Sequence, residues 1–153
     1  MTAYRRVLAL VALNADAEAV AQRAAEMARF HGATLALASI VDYSPGFEAD
    51  HVPFKTPAEL RQAIVADVGG KLDAIVARVG GGEVIVAAAK ESEALEDLAR
   101  SWQPDLVLVS ARATHGLDGR EQRQSRLPFD VLIVQPQRRG YVGRLINALS
   151  FPF

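Results

Sequence analysis

The chain is predicted to fold as an α/β protein, a three-layer α/β/α sandwich around a parallel sheet, and three observations predict it. Continuous apolar runs of strand length recur, as expected of strands covered on both faces. Between them lie segments with apolar residues at helical spacing, and strands alternating with helices require crossover connections and hence a parallel sheet. Finally, 153 residues, half of them apolar, suffice for one ordinary core and leave little room for a second.

The first strand is RVLALVAL, residues 6–13. Two arginines precede its apolar run, as in a leader peptide, but seven apolar residues followed at once by Asn14 and an amphipathic segment fit a strand. In NADAEAVAQRAAEMARFHG, Ala17, Val20, Ala21, Ala24, Ala25 and Ala28 form a helical stripe and Gly32 is placed as a C-terminal stop. So many alanines let the helix approach the sheet closely. TLALASIV is the second strand, and a long loop with Pro45, Gly46 and Pro53 follows.

Thr56, Pro57 and Glu59 form a capping box that opens the next helix. Its stripe is Leu60, Ile64, Val68, Leu72, Ile75 and Val79, and Gly69 with Gly70 allow a bend. GGGEVIVAAAK supplies a glycine turn and a third strand, SEALEDLARSWQ a helix with Leu95, Leu98, Ala99 and Trp102 on one face, and PDLVLVSA a fourth strand. A polar loop, SARATHGLDGREQRQS, leads to the fifth strand DVLIVQP. We expect residues 1–136 to form the domain and residues 137–153 a basic, apolar tail.

The formal charge of −1 argues against a nucleic-acid binder, which carries a basic excess. Its distribution is uneven. Residues 1–111 hold 10 Lys and Arg against 15 Asp and Glu, whereas residues 112–153 hold 7 Arg against 3 acids. The absence of cysteine excludes disulfides and thiolate metal sites and fits a cytoplasmic protein. Three scattered histidines, His31, His51 and His115, offer no metal-ligand spacing, so no metal is expected. No run approaches the roughly 18 to 20 apolar residues of a membrane span.

In an open parallel sheet, ligands bind beyond the carboxyl ends of the strands where strand order reverses. The loops after the first and fourth strands are the candidates. At these loops, RVLALVALNADAEAVAQRAAEMARFHGATLALASIV, PDLVLVSARATHG and the closing DVLIV resemble the universal stress proteins, over most of residues 6–134. The resemblance implies a five-stranded sheet of order 3-2-1-4-5, an adenine nucleotide alpha hydrolase-like architecture, and dimers. One branch of the family binds ATP through an Asp ending the first strand and a signature after the fourth: Gly-x-x-Gly, nine residues, then Gly-Ser or Gly-Thr.

Here the Asp position falls on Ala12, in the loop that holds Asn14. The signature glycines fall on Ser110 and Ala113, and the closing pair on Arg123 and Gln124, or on Gln124 and Ser125 one residue along. Glycines that let backbone N–H groups close on phosphates are therefore replaced. Only about twenty positions separate Ser110 from Asp130, a short span for loop and helix together. The pattern is similar to the A-type branch, which does not bind ATP, so the expected cofactor is none, with ATP as the alternative.

Arg112, Thr114, Arg120, Arg123 and Ser125, with Gly116 and Gly119, offer an alternative anion site, since arginine pairs well with phosphate. The plainer reading is a solvated loop with turn glycines. His115 and Asp118 lie close in sequence, but with no nucleophile beside them a surface histidine is the expectation. His31 suits the C-terminal end of its helix, and Glu93, Glu96 and Asp97 form a solvated face.

Val131, Leu132, Ile133 and Val134 are expected at a sheet edge, where a bare apolar strand invites pairing with a second copy about a two-fold axis. In the tail, which carries three arginines, Tyr141, Leu145, Ile146 and Leu149 fall at helical spacing, which suits docking on the domain or its dimer mate and, second to that, a membrane surface or partner groove. The leading expectation is a cytoplasmic homodimer that acts through an unidentified protein partner and not by catalysis. The alternatives are an ATP- or AMP-binding protein with a remodelled loop and slow hydrolysis, and a docking module working through the tail.

Overall fold

A computed structural model of the chain describes residues 3–41, 56–117 and 127–135. In chain order the elements are β1 (Arg6–Leu10), α1 (Ala17–His31), β2 (Thr34–Val41), α2 (Pro57–Val79), β3 (Glu83–Ala88), α3 (Glu91–Ser101), β4 (Leu106–Ser110) and β5 (Asp130–Val134). The strands form one sheet of order β3-β2-β1-β4-β5. Every neighbouring pair is parallel, with Ala9 opposite Leu37 on one side and Leu108 on the other. The expected architecture and strand order are both present.

Alternation along the strands divides the core into two apolar layers. Val7, Ala9, Val11, Leu35, Leu37, Leu106 and Leu108 face α1 and α2, where the alanine stripe and Leu72, Ile75 and Val79 meet them. Leu8, Leu10, Ala36, Ala38, Val107 and Val109 face the opposite way, towards Leu98 and Trp102, with Leu117 and Phe129 in the same layer. All six residues of the alanine-rich stripe on α1 are buried.

Local signals in the sequence set the helix ends. The Thr56 hydroxyl accepts a hydrogen bond from the Glu59 N–H at 3.2 Å, and Gly32 ends α1 with φ 65°, a left-handed conformation that glycine adopts without steric cost. α2 runs through Gly69 and Gly70 as one helix of 23 residues. One detail differs from expectation. β1 stops at Leu10: Val11 stays buried and donates to the Ala38 carbonyl at 2.8 Å, and the chain then turns, Asn14 donating to the Ala12 carbonyl at 2.8 Å.

Polar side chains brace the end of the sheet where the strands begin. The Asp105 carboxylate accepts from the N–H groups of Arg5 at 2.8 Å and Arg6 at 2.9 Å. Arg6 donates from Nε to the Trp102 carbonyl at 2.6 Å, and its guanidinium carbon lies 4.1 Å from the centre of the indole ring. The indole N–H donates to Glu83 at 2.6 Å, and Tyr4 donates to Asp130 at 2.6 Å.

Among the described residues, β5 pairs only with β4 and lies at an edge of the sheet. Leu132 and Val134 pack against the α1 layer and Val131 against the α3 layer, while Ile133 is 36% exposed. Among the described residues, no helix is long and apolar enough to cross a membrane. The expected boundary at residue 136 and the tail 137–153 lie outside the described residues.

Candidate functional site

β1 and β4 are neighbours, and their outgoing connections lead to opposite sides, β1 to β2 and β4 to β5. The loops leaving them therefore diverge, and the topology places the ligand crevice of such sheets between them, beyond their carboxyl ends. Ala12 to Asp16 forms one wall and Ser110 to Leu117 the other.

On the first wall, the Asn14 side chain accepts from the Asp16 N–H at 2.8 Å, an Asx-type turn that leads into α1. Asp16 is the N-cap of α1, yet its side chain does not cap the helix. It points across to the other wall instead. The Ser110 hydroxyl donates to Asp16 Oδ2 at 3.1 Å, and the Arg112 guanidinium lies 3.6 Å from Oδ1. The Asp16 side chain is 6% exposed and that of Arg112 56%. A buried carboxylate needs such partners, because leaving it unpaired would cost several kcal/mol.

On the second wall, Ser110 is buried at the end of β4, and its Oγ also accepts from the Arg112 N–H at 3.1 Å. Ala113 folds back, donating its N–H to the Ser110 carbonyl at 3.1 Å, and Thr114 accepts from the Leu117 N–H at 2.9 Å. Among the described non-glycine residues only Gln103 and His115 have positive φ, so the loop's left-handed turn falls at His115 and Gly116 and not at Ser110 or Ala113.

His115 is not the surface residue the sequence suggests. Its side chain is only 12% exposed, and Nδ1 lies 2.5 Å from a carboxylate oxygen of Glu91, the first residue of α3. The pair draws the loop onto the helix and covers the ring; Nε2 is buried and has no partner among the described residues.

Of the residues singled out in the sequence, the structure places Ala12 and Asn14 on the first loop and Ser110, Arg112, Ala113 and Thr114 on the second, and Ser110 and Arg112 reach across to Asp16. Arg120, Arg123, Gln124 and Ser125, with Asp118 and His51, lie outside the described residues. Sequence reasoning missed Asp16 and Glu91. The Asn-x-Asp spacing of Asn14 and Asp16 before a helix was the available signal for the first. Among the described residues, no three His, Cys, Asp or Glu cluster as metal ligands would.

An open parallel sheet of order 3-2-1-4-5 with helices on both faces and a strand-order reversal between the first and fourth strands defines the class of doubly wound α/β proteins. The model of the universal stress protein family matches residues 3–120, and the chain belongs to that family. Among solved structures, it resembles a universal stress protein family member from Burkholderia pseudomallei at 25% identity and TM-score 0.60, over 88% of this chain and 97% of that one. It resembles the universal stress protein UspA from Lactobacillus plantarum at 18% identity and TM-score 0.65, over 88% and 99%. A universal stress protein solved in complex with cAMP aligns at 21% identity and TM-score 0.52, over 87% and 98%. A search of curated proteins found no match.

Proposed function

We propose that this universal stress protein is of the A-type, a cytoplasmic homodimer that holds no ATP and acts through protein contacts, not catalysis. The observation that carries the proposal is the buried Asp16 carboxylate, bonded to Ser110 and near Arg112, in the crevice where a triphosphate would lie. The residues do not fit the ATP set: Ala12 supplies no carboxylate, and Ser110 and Ala113 carry Cβ atoms where the family's binding signature has glycine. Edge strand β5, with Ile133 open to solvent, supports pairing with a second copy through Val131, Leu132, Ile133 and Val134.

The decisive test is calorimetric titration of the purified protein with ATP and Mg²⁺, together with analysis of any nucleotide released on denaturation. We expect no heat of binding and no released nucleotide; micromolar ATP affinity or co-purified adenine nucleotide would overturn the proposal. Separately, Ile133→Lys should turn the dimer into a monomer by light scattering, and a wild-type chain that is monomeric at high concentration would refute the dimer.

A second reading, nucleotide binding through a remodelled loop, is favoured by the cAMP complex of the relative noted above and by the half-exposed Arg112. The same titration, repeated with AMP and cAMP, decides it. A docking role for residues 137–153 is tested by liposome co-sedimentation of the full chain against one truncated before Gly140; equal behaviour removes the membrane version.

A further inference from the structure

We propose that Asp16 is itself the occupant of the crevice, a built-in anion whose carboxylate sits between Ser110 and Arg112 and keeps phosphate groups out. The inference rests on the crevice being closed to nucleotide and names the residue that closes it. The groups facing Asp16 are those that recognise a phosphate oxygen: a hydroxyl donor at 3.1 Å from Oδ2 and a guanidinium 3.6 Å from Oδ1. Ser110 has no donor to spare, because its one hydroxyl proton goes to Asp16 while its oxygen accepts from the Arg112 N–H.

Arg112 is placed differently. Its guanidinium is too far from Asp16 for a good hydrogen bond and is half-exposed, so it retains donors that an anion would attract. An entering phosphate would meet the fixed negative charge of Asp16 in a poorly solvated position, where like charges repel strongly. Asp16 thus sets what the crevice refuses, and Arg112 is the group its removal would release.

The test uses the full chain and inorganic phosphate as the probe, titrated at constant ionic strength into wild type, Asp16→Asn and Asp16→Gly. Asp16→Asn keeps the shape and removes the charge; Asp16→Gly empties the position. We expect both variants to bind phosphate at least tenfold more tightly than wild type, and the gain to disappear when Arg112→Gln is added. Folded variants that bind no better than wild type, or a gain that survives Arg112→Gln, would overturn the inference.

The two proposals fail in distinguishable ways. If wild type binds no ATP and the Asp16 variants gain no phosphate, only the role of Asp16 falls. If wild type binds ATP, the closed crevice falls and takes that role with it. Should Asp16→Gly fail to fold, Asp16→Asn in a thermal double-mutant cycle with Arg112→Gln keeps the idea open to refutation. We expect the two losses in melting temperature not to add; simple additivity would mean the side chains do not interact, and would sink the proposal.

Discussion

The two rims of the sheet are held together in different ways. At the rim where strands begin, side chains bond largely to backbone: Asp105 holds the N–H groups of Arg5 and Arg6, and Arg6 holds the Trp102 carbonyl. Trp102 in turn reaches Glu83 at the start of β3, and Tyr4 reaches Asp130 at the start of β5. At the opposite rim, besides the Arg61 guanidinium's bond to the Ala88 carbonyl at 3.2 Å, two bonds that tie the loop after β4 to other elements run from side chain to side chain, Ser110 to Asp16 and His115 to Glu91. Bonds to backbone fix strand positions whatever the neighbouring loops do. Bonds between loop side chains can be exchanged without moving a strand, so chemistry can change at that rim while the scaffold stays.

The sharpest way to break this contrast is Trp102→Ala. The substitution removes a buried ring from the α3 layer, takes away the surface under the Arg6 guanidinium and leaves the Glu83 carboxylate without its indole donor. We expect a loss of about 3–5 kcal/mol in guanidinium unfolding, in the range for large aromatic truncations. A loss below about 1 kcal/mol would show that the beginning of the sheet is not braced through this residue.

A smaller effect compares the rims directly. Asp105→Ala leaves two backbone N–H groups without their carboxylate and should cost about 2 kcal/mol. Ser110→Ala removes one hydroxyl from the crevice and should cost about 1 kcal/mol, because Arg112 stays beside Asp16. Both are read from urea unfolding of the same chain. The reverse ranking would place the structural load in the crevice.

The sheet was legible because its cause is local. A strand covered on both faces must be apolar throughout, and the alternation of β1 into two layers is written in VLAL itself. The helix ends were legible for the same reason, since Thr56 and Gly32 act on their own neighbours. The loop after β4 was half legible: Ser110 and Arg112 were found by position, but the partner of Ser110 lies 94 residues away. In the sequence Asp16 is one acid among several, placed at a helix start. What makes it different is burial between two loops, which no local pattern encodes. His115 was misplaced on the surface for a related reason, because its cover comes from Glu91 on another element.

The smallest prediction concerns Tyr4, the outermost brace of the scaffold rim. Its hydroxyl donates to Asp130, and this bond, followed by partial burial and the charges of Asp130 and Asp105, holds the phenol above its ordinary value of 10.0. Folding therefore favours the neutral phenol. A group raised in this way contributes its stability fully below about pH 10 and loses it as pH rises through the folded value. Because the pair is exposed, Tyr4→Phe should cost less than about 1 kcal/mol at pH 7. Tyr43 and Tyr141 are present in both proteins, so the informative quantity is the difference in melting temperature between wild type and variant. That difference should close above about pH 10. No difference at pH 7 would mean that Tyr4 acts by packing its ring against His31 at the end of α1, 5.0 Å away, a contact phenylalanine keeps, and not through its hydroxyl.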